Sequence, residues 1–189
     1  MARVKLNNIT LCCIDSVQPD RAKKAFDKCR EYFDFGGEVF INDLQINSRQ
    51  AYSKFIIQEL HKHIHTDFVL IVQWDGYIIN PDAWHPTFLD YDYIGAVWHW
   101  HEEGKRVGNG GFSLRSKKLC ELTAQPKFVY IDQNEDDLIC HVNRDFLENQ
   151  GIKFAPEELA RYFSFERELS NIKTFGFHGD FNFERLGIQ

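Results

Sequence analysis

Three apolar runs, separated by stretches that repeat with a helical period, constrain the fold of this chain more than any other feature. Asn8-Ile9-Thr10-Leu11-Cys12-Cys13-Ile14-Asp15 is continuous enough to be a strand buried on both faces, and it empties into Asp15-Ser16. Pro19-Asp20 then opens a helix whose apolar positions Ala22, Ala25, Phe26, Cys29 and Phe33 follow a 3.6-residue period. Gly36-Gly37 is expected to stop that helix, and Glu38-Val39-Phe40-Ile41 reads as a second strand closing at Asn42-Asp43. Ser48 is a candidate N-cap for a helix carrying Tyr52, Phe55, Ile56, Leu60 and Ile64 on one face. The third run, Asp67-Phe68-Val69-Leu70-Ile71-Val72, breaks into Gln73-Trp74-Asp75-Gly76.

This βαβαβ series predicts an α/β fold, a mostly parallel central sheet with helices on both faces. Ligands of such sheets bind beyond the carboxyl ends of the strands, so Asp15-Ser16, Asp43 and Gln73 to Gly76 should converge on one crevice. The second half is less regular. Tyr91 to Trp98 reads as a strand, and Gly108-Asn109-Gly110-Gly111 reads as a turn into the short strand Phe112-Ser113-Leu114. A helix is expected from Arg115 to Pro126, and another from Asp132 to Asn149 with Leu138, Val142 and Phe146 on one face. No repeat or linker interrupts the 189 residues, which points to one domain over 1–189.

Charge narrows the partners. Lys+Arg 22 against Asp+Glu 28 gives a net charge of -6, and no basic run interleaves with aromatics, so nucleic acid is excluded as the main partner. The longest apolar stretch, Phe68 to Val72, is too short for a membrane span, and Met1-Ala2-Arg3-Val4-Lys5 leads into no secretory segment. Five cysteines without a C-x-x-C pair read as buried thiols. Together these features point to the cytoplasm, with peripheral membrane association left open. Seventeen Phe and seven Tyr predict a ring-rich core.

Several common chemistries fail on spacing. Gly108-Asn109-Gly110-Gly111-Phe112-Ser113 has Ser where a dinucleotide fingerprint needs its third glycine, no phosphate-binding G-x-x-x-x-G-K-[ST] loop is present, and Ser113 lacks the flanking glycines of a nucleophile elbow. His61 and His65, one helical turn apart, could chelate zinc and make a hydrolase, but histidines are also favoured at helix C-termini.

What remains is a set of three. Asp75, at the mouth of the third strand, could hold a divalent cation or a ribose, or simply form an Asp-Gly turn. Asn134-Glu135-Asp136-Asp137 opens a helix; Asp132 and Glu135 make an approximate capping box, which leaves Asp136 as the candidate general base. His178, in Phe177-His178-Gly179, would add a nitrogen ligand to the oxygen of Asp75.

These segments resemble the nucleotide-sugar glycosyltransferases of the Rossmann-like GT-A fold, and most closely an uncharacterised bacterial family of glycosyltransferase-like proteins. The resemblance runs through Asp67 to Gly76, Tyr91 to Ala96, Gly108 to Arg115, Glu135-Asp136, Lys153 to Glu157 and Phe175 to Gly179, and so covers essentially the whole chain. It implies that Asp75 is the last acid of the D-x-D motif that binds metal and donor diphosphate, with Gln73 standing in place of the first acid. It implies that Gly110 and Gly111 form the turn under the donor sugar, that Glu135 and Asp136 are the catalytic Glu-Asp pair, and that His178 completes a Mn²⁺ or Mg²⁺ site.

The expected reaction is an inverting transfer from a nucleotide-diphosphate sugar to a hydroxyl of a glycan or glycolipid, in bacterial capsule or lipopolysaccharide assembly. Asp15, Ser16, Asp43 and Arg49 are the expected contacts to base, ribose and phosphate, and Trp98 and Trp100 the expected platform for an acceptor sugar. A non-catalytic nucleotide- or sugar-binding protein on the same fold is the alternative.

Overall fold

The computed structural model describes residues 3–167 and 171–188. Its first half is the expected alternation: β1 (Val4–Ile14), α1 (Pro19–Tyr32), β2 (Phe33–Ile41), α2 (Arg49–Gln58) and β3 (Phe68–Val72). Next come β4 (Tyr93–Ile94), β5 (Ala96–Val97), β6 (Val107–Gly108) and β7 (Ser113–Ser116), followed by α3 (Lys117–Thr123). The main sheet has five strands in the order β2-β1-β3-β7-β4. β1 runs parallel to β2 and β3, whereas β7 is antiparallel to both of its neighbours, so the sheet is mixed.

The apolar runs lack alternation because both faces of the sheet are covered. Leu11, Cys13, Leu70 and Val72 pack with Ala22, Ala25, Phe26 and Cys29 of α1. Their neighbours Cys12, Ile14, Val69 and Ile71 point the other way, onto Ile56, Leu60 and Ile64. All five cysteines are buried and free. The ring-rich core centres on Phe175, whose centroid lies 5.8 Å from Phe33, 5.8 Å from Phe112 and 5.9 Å from Phe163. Truncating one such ring to Ala typically costs about 3–5 kcal/mol.

Several local expectations are corrected. Gly36 and Gly37 do not end α1; they lie inside β2, which starts at Phe33. A Cβ on Gly36 would stand 1.9 Å from the Asn7 carbonyl oxygen, at the place where the β1–β2 register shifts, so the glycines serve close strand approach. Tyr91 to Trp98 is two strands in different sheets, and a Cβ on Gly95 between them would meet Gly108 O at 1.9 Å. Arg115 belongs to β7 and is 1% exposed, so the helix starts only at Lys117, capped by Ser116.

The helix expected over Asp132–Asn149 is broken into α4 (Glu135–Asp137), a π turn (Leu138–Val142) and α5 (Arg144–Asn149). The wider turn shifts the helical phase. Val142 is therefore 42% exposed, while Ile139, Cys140 and Leu147 take the buried positions.

α2 ends at Gln58 and a 3₁₀ turn (Leu60–His63) follows, so His61 and His65 do not share a helical face. Among the described residues they do not belong to a group placed to bind metal, which removes the basis for a zinc hydrolase there. The chain then closes with α6 (Glu157–Phe163), β8 (Ser164–Phe165), β9 (Gly176–Phe177) and α7 (Phe183–Leu186).

Candidate active site

A cavity of about 420 Å³ opens where β1 and β3 end. Asp15, Ser16, Arg49, Gln73, Gly111, Glu135, Asp136 and His178 border it. These residues come from six separate stretches of chain, and the fold brings them together.

On the β1 side, Asp15 Oδ1 accepts the N–H groups of Val17 at 2.8 Å and Gln18 at 2.7 Å, fixing the loop into α1. Ser16 donates to Asp43 O at 2.5 Å. Asp43 itself does not border the cavity: its carboxylate accepts from Gln45 N at 2.9 Å, so it shapes the neighbouring loop and its direct donor contact is not assembled. Ser48 caps α2 by accepting from Ala51 N at 3.2 Å. Arg49, in the first turn of that helix, pairs across the opening with Asp132 at 2.9 Å and reaches Asn134 at 3.4 Å. Asp132 is thus Arg49's partner and makes no capping box with Glu135.

At the end of β3, Gln73 and Gly76 exchange both backbone hydrogen bonds, at 2.9 and 3.1 Å, and so form a tight turn. The turn points Gln73 into the cavity and Asp75 behind it, towards His178. His178 lies one residue past β9, and Glu166 one residue past β8. These two strands pair in parallel, Phe165 opposite Phe177, so the two side chains emerge together. His178 Nδ1 is 3.2 Å from Glu166 Oε1 and 2.8 Å from Asn109 Nδ2. His178 Nε2 is 3.2 Å from Gln73 Oε1 and 3.6 Å from Asp75 Oδ1.

Burial works against a charged His178, yet the Glu166 hydrogen bond and the nearby Asp75 carboxylate raise its pKa above the ordinary value. Burial likewise pushes Glu166 up, but its bonds from His178 and Trp98 outweigh this and hold it below the usual carboxylate range. Asp75 is raised, chiefly by burial and against the pull of His178, and its Oδ1 is buried with no hydrogen-bond partner. Asn182 locks the arrangement by donating to both Glu166 O and His178 O at 2.8 Å.

The opposite wall is acidic. Asp136 Oδ2 accepts from Gly110 N at 2.8 Å and Oδ1 from Asp137 N at 2.9 Å, and burial raises its pKa. Glu135, only 4% exposed, is committed to Arg115: Nη2 donates to Oε1 at 3.0 Å and Nη1 lies 2.8 Å from Oε2. The paired glycines answer to both walls. A Cβ on Gly110 would stand 1.8 Å from Glu135 Oε1, and one on Gly111 would stand 2.0 Å from His178 Nε2. Gly111 borders the cavity and Gly110 does not.

The acceptor platform is corrected at Trp98. It is 5% exposed, packed against Trp100, His101 and His141, and donates from Nε1 to Glu166 at 2.9 Å, so it has no face for a sugar. Trp100 is 57% exposed but does not border the cavity. Glu166, Asn109 and Arg115 were missed by sequence reasoning. A hint existed only for Asn109, whose φ of 70° suits the Gly-Asn-Gly-Gly turn in which it lies.

Among the described residues, two groups of side chains could hold a metal. One is Asp75 with His178 and the Gln73 amide oxygen. The other lies away from the cavity: ligand atoms of His101, Asp137 and His141 all lie within 4.8 Å of one another.

This mixed sheet, with its crevice at the strand ends, is the fold of the GT-A glycosyltransferases. A glycosyltransferase involved in the glycosylation of the major capsid of PBCV-1 superposes with a TM-score of 0.55 at 12% identity, over 91% of this chain and 92% of that one. The galactosyltransferase LgtC, solved with donor and acceptor sugar analogs, superposes with a TM-score of 0.50 at 14% identity, over 91% and 87%. The chain belongs to the family described as "Protein of unknown function (DUF5672)", which matches residues 37–178. No curated protein matches it. Among the described residues no helix is long and apolar enough to cross a membrane.

Proposed function

We propose that the cavity binds a nucleotide-diphosphate sugar and that the protein is an inverting glycosyltransferase acting on a hydroxyl acceptor, a glycan or glycolipid. The observation that carries this reading is the pairing, across one cavity, of an anchored acid of raised pKa, Asp136, with the His178–Asp75 group.

The donor set suits a hard divalent ion of the Mn²⁺ or Mg²⁺ class. Asp75 Oδ1 is a buried carboxylate oxygen without a partner, Gln73 adds an amide oxygen, and His178 adds a nitrogen oriented by Glu166. When bound, such an ion offsets negative charge on the departing diphosphate. His178 in its protonated form carries a positive charge at the same place.

Gly110 N–H holds Asp136 so that one carboxylate faces the cavity, and its raised pKa strengthens it as a base. The acceptor oxygen forms a bond to the anomeric carbon as the bond from that carbon to the diphosphate oxygen breaks, and the acceptor's proton passes to Asp136. Arg49, exposed at the rim beside Asp15 and Ser16, supplies a cation for phosphate. Glu135 takes a supporting role, holding the Gly110 turn through Arg115.

The test is a panel of nucleotide-diphosphate sugars with Mn²⁺, read by donor binding, sugar release and the anomeric configuration of the product. Asp136→Asn should keep donor binding and lose about 10²–10⁴ in turnover. An Asn variant as active as the wild type would overturn the assignment. Binding without turnover across the panel would instead favour a sugar- or nucleotide-binding protein, a reading that the neutral Gln73 at the metal position supports.

A further inference from the structure

On the flank beyond Asp136, residues 98–106, which lead from β5 to β6, fold back onto α4 and the π turn through a stack of rings. Trp98 lies 5.6 Å from Trp100 and 5.7 Å from His141, and His101 lies 3.6 Å from His141 with the two planes 16° from parallel. This brings both imidazoles to the Asp137 carboxylate, with one ligand atom of each residue within 4.8 Å of the others. The Nε2 atoms of His101 and His141 are both buried, and neither has a hydrogen-bond partner. Buried ring nitrogens are ordinarily paired, so two adjacent orphans beside a carboxylate indicate a missing ligand.

We propose that His101, Asp137 and His141 bind one divalent transition ion of the zinc class, which pins the 98–106 loop to the helix that carries Asp136. Two imidazoles and one carboxylate are the donor set of zinc, whereas magnesium and calcium take oxygen ligands. Tetrahedral bonds of about 2.0–2.1 Å place ligand atoms about 3.3–3.4 Å apart, so the group must close by no more than about 1.5 Å. His101, on a half-buried loop, supplies that movement by side-chain rotation, and a water takes the fourth position.

None of these three side chains borders the cavity, so the ion is separate from one held by Asp75 and His178. Its effect still reaches the site from two sides. Asp137 N donates to Asp136 Oδ1 at 2.9 Å, and Trp98, in the same stack, donates to Glu166. The proposal does not depend on glycosyl transfer.

The experiment strips the full chain of metal, incubates it with zinc, desalts it, and counts bound metal by mass spectrometry, with Co²⁺ replacement as an optical readout of ligand geometry. The expected result is at least one retained equivalent and the visible absorption of tetrahedral Co²⁺. His101→Gln and Asp137→Asn should weaken zinc binding at least about tenfold, whereas Asp75→Asn and His178→Ala should leave this equivalent in place. His141→Gln should behave like His101→Gln, and circular dichroism checks that each variant is folded. No retained zinc in the wild type overturns the proposal, and so does zinc that survives in His101→Gln but is lost in His178→Ala. The loop position of His101 and the wild-type cobalt spectrum keep the test decisive if the His141 variant fails to fold.

Discussion

His178 Nδ1 lies 3.2 Å from Glu166 Oε1 because each residue directly follows one of two paired parallel strands, β8 and β9. The contact fixes the imidazole by one nitrogen and turns the other towards Gln73 and Asp75. Glu166 in turn is held by Trp98 and by Asn182. A histidine that reads as a lone residue between glycines is therefore the centre of a network that joins Glu166, Gln73, Asp75, Trp98 and Asn182.

Glu166→Gln should lower the His178 pKa, because the neutral amide no longer favours imidazolium. An NMR titration of the ring protons in metal-free buffer would show the shift, and an unchanged midpoint would contradict the role given to Glu166. The stability signs follow from the directions. The folded pKa of His178 is raised, so its contribution is complete below its ordinary value of 6.5 and is lost as pH rises through the folded value. The folded pKa of Glu166 is lowered, so its contribution is complete above 4.5 and is lost as pH falls. The stability gap between wild type and Glu166→Gln in urea melts should thus be widest between 4.5 and 6.5 and shrink on either side, as pH rises through the folded value of His178 or falls through that of Glu166.

Arg115→Met should destabilise the protein by about 3–5 kcal/mol, since it strands the buried Glu135 carboxylate. The double variant Arg115→Met with Glu135→Leu should recover a large part of that loss. Urea unfolding of both measures it; a double variant no better than the single would mean that Arg115 acts mainly through its bonds to Ser113 Oγ at 3.0 Å and Gly110 O at 3.5 Å.

Gly111→Ala places a methyl group where His178 Nε2 stands, at 2.0 Å. The imidazole must leave Gln73 and Asp75, so Mn²⁺-dependent binding of a nucleoside diphosphate should weaken by about tenfold or more, equivalent to about 1.4 kcal/mol. Calorimetry with and without Mn²⁺ reads this directly, and equal affinity in the variant would place the diphosphate elsewhere.

Gln73→Asp restores a second carboxylate beside Asp75 and His178, and should tighten Mn²⁺ binding by about tenfold through the added ligand charge. The same change replaces the neutral amide beside His178 Nε2 with a charged carboxylate and should raise the His178 pKa in the metal-free protein. Weaker metal binding in this variant would show that Gln73 does not face the ion.

Much of the scaffold was legible because burial on both sheet faces leaves a plain mark, an apolar run of strand length. Leu11 to Ile14 and Val69 to Val72 could be read as strands, Ser48 as a cap, and the strand ends as one crevice. Where readings failed, a long-range contact had replaced a local rule. Gly36 looks like a helix stop, yet Asn7 of another strand dictates it. Arg115 looks like the start of a helix, but a buried Glu135 twenty residues on keeps it in a strand. Trp98 looks like an exposed ring platform, but it is covered by Trp100 and His141.

By itself, then, the sequence determined the α/β layering, the parallel β1–β3 core and the chemical types gathered at the strand ends, because these follow from hydrophobic period and turn chemistry within a few residues. Only the tertiary structure decided which acid pairs with a guanidinium and which is held by backbone N–H groups, since Glu135 and Asp136 are neighbours with the same charge and differ in facing Arg115 or Gly110 N–H. It alone joined Glu166 to His178 and His101 to His141. A side chain's protonation and its partners are set by groups distant in sequence, and no local pattern records them.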